Sequence, residues 1–398
     1  MFHAGYERSP LPPARPDATE PPAPPAPETV RTGPGSGSGG AAQRDAFFDN
    51  AKYLAIVLVV VGHAWGPILS DSRAVLAAYN FVYAFHMPAF IVITGYLSRN
   101  FDMRPGRLRR LVTTVVVPYV IFETAYTLFR RAGDGADHPI SLLDPWYLSW
   151  FLLALFVWRL TTPLWRLVRW PVPLALGIAL LASVSPETGG DLHMQRILQF
   201  LPFYVLGLNL RREHFDVVRH RAVRLLAGPV LAAAAVFAYW SAPRMNLAWF
   251  YHNNSGQELG VPWWVGAAMT LALTVCSLVL SACFFALVPR RRTWFTALGA
   301  GTLYAYLLHG FLILGARFQG WYDLAWVTTP AGEVALSVLF AVLATVMCTA
   351  AVRRVFRFVV EPNVEWIFRR DAAGAARERA AAPAEPAARS AEPAAPRR

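Results

Sequence analysis

The sequence predicts an all-α polytopic membrane protein of about ten transmembrane helices with both termini cytoplasmic, and three observations predict it. Of its 398 residues 55% are hydrophobic and only 16% charged, a balance that soluble domains rarely reach. Apolar stretches of roughly bilayer-spanning length recur along the chain. Arginines gather in alternate connections between those stretches, as expected where cytoplasmic loops retain positive charge.

The elements follow in order. Residues 1–43, rich in Pro, Ala, Gly and Ser and without a signal-peptide apolar core, are expected to form a disordered, uncleaved cytoplasmic tail. Residues 44–360 are expected to form the membrane domain, with apolar stretches beginning near Asn50, Tyr79, Leu111, Trp146, Trp170, Arg196, Val223, Pro262, Ala297 and Val334. The fifth (about 171–185) and sixth (about 196–210) are short, which leaves eight or nine spans open. The loop after the second span holds Arg99, Arg104, Arg107, Arg109 and Arg110, and that after the fourth holds Arg159, Arg166 and Arg169. Arg211, Arg212, Arg219, Arg221 and Arg224 follow the sixth, Arg290 to Arg292 the eighth, and Arg353, Arg354 and Arg357 the tenth. The intervening loops carry far fewer, and this alternation fits ten spans. Residues 361–398 are expected to be a second cytoplasmic tail, mostly disordered.

Several function classes are set aside by the same reading. The formal net charge is +12, yet the arginines lie in short clusters between apolar runs and read as topology signals, so no nucleic-acid partner is expected. Cys276, Cys283 and Cys348 have no metal-ligand or CxxC spacing, and no HExxH, GxSxG or EF-hand pattern occurs, so no metal site is expected. Gly299-Ala300-Gly301 lacks the strand and lysine of a phosphate loop and reads as close helix packing.

Ionisable residues inside spans are expensive and therefore functional candidates. They are Lys52 at the mouth of the first span, His63 within it, His86 in the second, Glu123 in the third and His309 in the ninth. Lys52 is the only lysine of the chain. Eleven residues on, His63 returns to within about 20° of the same helical face, roughly 16 Å along the axis. A cation and an imidazole on one stripe suit an anionic cofactor at one end and proton chemistry at the other. His63, His86, Glu123 and His309 each fall about 16 to 18 Å from an assumed cytoplasmic boundary, which suggests one shared polar cavity. Structural roles stand beside these: an intramembrane histidine also serves as a helix–helix hydrogen-bonding group, Glu123 as a counter-ion, and Lys52 as a snorkelling anchor. Trp146-Tyr147 and Trp263-Trp264 fall at outer span ends and read as interface-belt residues.

The first span, Arg44 through His63 with ten residues between Lys52 and the histidine, resembles the first helix of the acyltransferase-3 family of membrane acyltransferases, in particular the fucose 4-O-acetylase-like branch. Phe85-His86-Met87-Pro88 with Thr94-Gly95-Tyr96 is similar to a second block of that branch, and Pro118-Tyr119, Trp146-Tyr147-Leu148, Leu201-Pro202-Phe203-Tyr204 and Tyr304 through His309 match further blocks in order. Lys52 stands where many relatives have Arg, and Thr94 where Ser is usual; the SGNH hydrolase domain that some relatives carry is not expected in the short tail after the tenth span.

The resemblance implies an O-acyltransferase, most often an O-acetyltransferase, multi-pass in the cell membrane. It would use acyl-CoA as donor and a hydroxyl of a sugar or other small acceptor. It implies Lys52, Arg107, Arg109 and Arg110 for the donor phosphates. His63 would be the general base, its unperturbed pKa of about 6.5 suiting that role, with Glu123 or His86 orienting it. His309, Trp146 and Tyr147 fall to the substrate side. A proton-coupled secondary transporter using the midplane His and Glu residues is the competing reading, and a flippase-like or scaffold partner a further one.

Overall fold

The computed structural model describes residues 45–189 and 191–368. The N-terminal tail and the end of the C-terminal tail lie outside the described residues. Each of the ten apolar stretches is helical, and no strand occurs among the described residues. The chain runs α1 (Ala46–Trp65), α2 (Arg73–Tyr83), α3 (His86–Ser98), α4 (Pro105–Leu111), α5 (Val117–Asp134), α6 (Trp150–Trp165), α7 (Pro171–Ser183) and α8 (Met194–Asn209). It continues through α9 (Arg212–Val218), α10 (Arg221–Ser241), α11 (Ala248–Tyr251), α12 (Trp263–Leu287), α13 (Thr302–Phe318), α14 (Pro330–Met347) and α15 (Ala350–Val360).

Six helical stretches are long and apolar enough to cross a membrane: Ala46–Ile68, Arg73–Ser98, Pro105–Asp134, Arg221–Ser241, Trp263–Leu287 and Pro330–Met347; α6, α7 and α13 are apolar but shorter. The protein is thus a helical, multi-pass membrane protein. Its exterior is apolar as a bilayer requires, with Val236, Phe237, Val275 and Val338 all more than half exposed.

Local sequence explains the irregularities. The second long stretch breaks between Tyr83 and His86 because Pro88 has no N–H to offer the carbonyl of Ala84, four residues earlier. Ser277 Oγ on α12 donates to that carbonyl at 2.5 Å, so the break is satisfied from a neighbouring helix. In the third stretch, one π-helical turn at Val112–Val116 precedes Pro118 and absorbs the same lost donor. Asp45 caps α1 by accepting from the Phe47 N–H at 3.0 Å.

Helix α8 packs along α3 and α7. Its crossing with α3 is backbone on backbone: a Cβ on Gly95 would overlap the Tyr204 carbonyl oxygen, and one on Gly207 the Val92 carbonyl oxygen. Gly299 and Gly301 meet the backbone of Asp49 and Cys348 in the same way, the close packing expected of that triplet. Arg353, Arg354 and Arg357, counted in the sequence as loop charges, lie instead on α15, with Val355 and Phe358 exposed beside them. That amphipathic pattern belongs to a helix lying at an interface, which a search for apolar runs passes over.

Candidate active site

Helices α1, α2, α3, α8 and α13, with the turn that opens α6, enclose a cavity of about 610 Å³, lined by His63, Tyr83, His86, Tyr147, Arg196 and Tyr306 among others. Gly66, Pro67 and Asp71 after α1 and Arg317, Tyr322 and Asp323 at the end of α13 complete it. The cavity therefore lies towards the C-terminal ends of α1 and α13. Because α1 begins at Ala46 and ends at Trp65, His63 sits close to that end and not halfway along the helix.

His309, on α13, is fully buried and directs Nδ1 at the carbonyl of Ala305, 2.8 Å away. A carbonyl only accepts, so His309 carries its proton on Nδ1 and Nε2 is left with a lone pair. His63 Nδ1 lies 2.8 Å from that Nε2, and the two rings are within 5° of parallel. His63 must donate from Nδ1, which leaves its own Nε2 unprotonated. The chain Ala305 carbonyl, His309, His63 fixes one tautomer and makes His63 Nε2 a proton acceptor. His86 is set in the same way: at the α2–α3 break its Nδ1 donates to the carbonyl of Val82 at 2.8 Å, and Nε2 remains as acceptor.

Aromatic rings wall this pair. Tyr83 lies 6.1 Å from His63 and 4.6 Å from His86 between ring centroids, and Tyr79 and Tyr251 share a hydrogen bond of 3.0 Å between their hydroxyls. Tyr147 stands 5.4 Å from His63 and takes a left-handed conformation, φ 55°, that L-residues hold only when their surroundings impose it. Glu123 supplies part of that imposition. Its carboxylate accepts the Trp146 N–H at 3.0 and 3.2 Å, fixing the peptide just before Tyr147.

The expected site residues thus divide. His63, His86 and Tyr147 line the cavity and His309 stands behind His63; the partner of His63 is His309, not Glu123 or His86. Trp146 and Glu123 support the wall from outside. Lys52 pairs with Asp49 at 2.7 Å, Arg107 with Asp102 at 3.4 Å, and Arg109 lies over the Phe368 ring at 5.2 Å. The carbonyl of Arg110 accepts from the hydroxyls of Thr113 and Thr114. Lys52 belongs to the N-terminal part of α1 and the three arginines to α4, which opens the third long stretch. None of the four lines the His63 cavity.

Arg196 is the residue that sequence reasoning missed. It stands at the start of the sixth apolar stretch, yet it lines the cavity, donates from Nε to the Tyr251 carbonyl at 2.7 Å, and lies 4.5 Å over the Trp150 ring. The available signal is its position between Gln195 and Gln199, in one of the connections where arginines are scarce. Outside the spans, in the connection between α11 and α12, His252 Nδ1 lies 3.2 Å from Gln199 Oε1. Burial, with the nearby Arg196 charge, pushes the His252 pKa down to about 3. Among the described residues no group of three or more His, Cys, Asp or Glu side chains is arranged to hold a metal ion.

The fold is that of a multi-pass helical membrane protein, and its cavity is faced by a tautomer-locked histidine pair. Residues 45–352 match the acyltransferase domain of the acyltransferase-3 family, and the chain belongs to that family: it is a membrane acyltransferase. It is similar to the nodulation protein NolL of Sinorhizobium fredii, 26% identical over 302 residues that cover 69% of this chain and 80% of the relative. It is similar also to the nodulation protein NolL of Mesorhizobium japonicum, 27% identical over 195 residues, covering 44% and 50%. No solved structure matches the chain.

Proposed function

We propose that this protein is an O-acetyltransferase of the plasma membrane that moves the acetyl group of acetyl-CoA to a hydroxyl of a saccharide or another small acceptor in the His63 cavity. The observation that carries the reading is the hydrogen bond from His63 Nδ1 to His309 Nε2. With Nδ1 committed, Nε2 takes the acceptor hydroxyl proton as the oxygen attacks the thioester carbonyl carbon. The thiolate of coenzyme A leaves and recovers that proton from the imidazolium. Positioned base catalysis of this kind contributes about 10² to 10⁴ in rate.

The other groups take supporting parts. His86 offers Nε2 as a second acceptor, and Glu123, through the Trp146 peptide, holds Tyr147 against His63. Aromatic rings with a few polar groups suit a carbohydrate. Lys52, Arg107, Arg109 and Arg110 receive the donor phosphates at the opposite end of the helices, with Asp49 and Asp102 holding two of these cations in place. The family's membrane domain, residues 44–360, then has ten spans with both tails cytoplasmic, which puts these four basic residues on the side where coenzyme A is found.

The test is thiol release from acetyl-CoA by the purified protein, with and without saccharide acceptors. Acceptor-dependent release that is lost in a folded His63→Ala variant supports the reading. Proton-coupled uptake of a solute without thiol release would replace it by the transporter.

A further inference from the structure

Attack of a hydroxyl on a thioester gives a tetrahedral intermediate whose former carbonyl oxygen carries a full negative charge. His63, which takes the proton, offers that oxygen nothing. Two cationic side chains line the cavity, Arg196 and Arg317. Arg317 is exposed, as is Asp323, which also lines the cavity. Arg196 is only partly exposed, in the first turn of α8.

Arg196 is built to stay there. Trp150 lies 4.5 Å from its guanidinium carbon, Tyr251 lies 5.9 Å away, and Nε is bound to the Tyr251 carbonyl. No carboxylate among the described residues pairs with it. A guanidinium withdrawn from water without a counter-ion is destabilising, and here two rings and a carbonyl hold it in place against that penalty while both Nη groups have no hydrogen-bond partner among the described residues. An anion arising in the cavity completes the arrangement.

We propose that Arg196 is a catalytic residue that stabilises the oxyanion of the acyl-transfer intermediate. The inference rests on the acyl-transfer reading above. As the acceptor oxygen forms its bond to the carbonyl carbon, its proton passes to His63 Nε2 and the C=O π pair moves onto the carbonyl oxygen, which takes hydrogen bonds from the Nη groups of Arg196. When the pair returns, the carbon–sulfur bond breaks, coenzyme A leaves as thiolate, and the imidazolium returns the proton to it. The guanidinium binds charge only while charge exists, which is the condition for accelerating the step.

The experiment compares wild type, Arg196→Gln and Arg196→Lys in two reactions: acetyl transfer to a saccharide acceptor, and acceptor-free hydrolysis of acetyl-CoA. Loss of an oxyanion donor lowers kcat by about 10²- to 10³-fold. Both reactions should fall by that factor in Arg196→Gln, with the acceptor KM nearly unchanged. Should Arg196→Gln not survive purification, Arg196→Lys carries the test, since it keeps the charge without the guanidinium fork; a fall of about tenfold or more in both reactions is expected. Loss of transfer alone, with a raised acceptor KM and intact hydrolysis, would overturn the inference and make Arg196 a contact to an anionic acceptor. Unchanged kcat would overturn it as well. A wild-type protein that releases no thiol in either reaction would instead remove the acyl-transfer reading on which it rests.

Discussion

His63 Nδ1 and His309 Nε2 lie 2.8 Å apart, and the Ala305 carbonyl behind His309 decides which of the two donates. The pair behaves as one unit with one free lone pair, so the two residues are predicted to fail differently. His63→Ala removes the base and should lower the transfer rate by about 10² to 10⁴. His309→Phe keeps the base but frees its tautomer, with an expected loss of about tenfold or more. His309→Gln, whose Oε1 still accepts from His63 Nδ1, should be milder. Equal rates in His309→Phe and wild type would sink the tautomer argument.

The α3–α8 crossing yields a stability prediction. A Cβ at Gly95 or Gly207 would run into a backbone carbonyl of the facing helix, which cannot swing aside as a side chain does. Gly95→Ala and Gly207→Ala should each destabilise the protein by about 1 to 3 kcal/mol, read as earlier thermal unfolding in detergent. The double variant should lose less than the two single losses together, since one separation of the helices relieves both clashes.

Much of this was legible in the sequence, for physical reasons. A helix stands at each of the ten apolar runs, because a membrane helix must satisfy its backbone within itself, and six of these stretches are long and apolar enough to cross a membrane. The rarity of intramembrane charge brought out His63, His86 and His309. What stayed hidden was pairing and depth. Helical spacing put Lys52 and His63 on one stripe, but Lys52 turned to Asp49, three residues away, and the α1 boundaries moved His63 towards the helix end. Glu123 looked like a partner for His63, whereas its carboxylate binds a backbone N–H in a loop 23 residues later. Arg196 stayed unnoticed because an arginine at the start of an apolar run looks like an anchor.

Glu123 is predicted to act through that loop. Glu123→Gln retains one acceptor for the Trp146 N–H and should keep most activity, whereas Glu123→Ala releases the peptide and lets Tyr147 leave its left-handed conformation. Glu123→Ala should therefore lose activity while leaving the pH dependence of kcat in place, because His63 keeps its own partner. A pH profile displaced in Glu123→Gln would give Glu123 a direct protonic part instead.

Lys52 is predicted to affect the donor and not the chemical step. Lys52→Ala should raise the KM for acetyl-CoA at nearly constant kcat, and Lys52→Arg should do so less, since the cation remains. Asp49→Asn, which removes the 2.7 Å partner of Lys52, should weaken the donor in the same direction by letting the ammonium wander. An unchanged KM in both Lys52 variants would return the residue to the role of membrane anchor.

His252 gives a stability prediction with a definite sign. Its pKa is about 3 in the folded protein and about 6.5 in an unfolded chain. Between those values the unfolded chain binds a proton that the folded protein refuses, so folding is progressively disfavoured as pH falls. Stability contributed by neutral His252 is fully present above about pH 6.5 and declines as pH drops towards 3. The connection between α11 and α12, held to α8 by the His252 contact with Gln199, should loosen first, seen as lower amide protection in that segment, relative to the intrinsic exchange rate at each pH, at pH 5 than at pH 7. In His252→Gln, which can still donate to Gln199 and does not titrate, the difference between the two pH values should shrink. An equal pH dependence in wild type and variant would assign the effect to other groups.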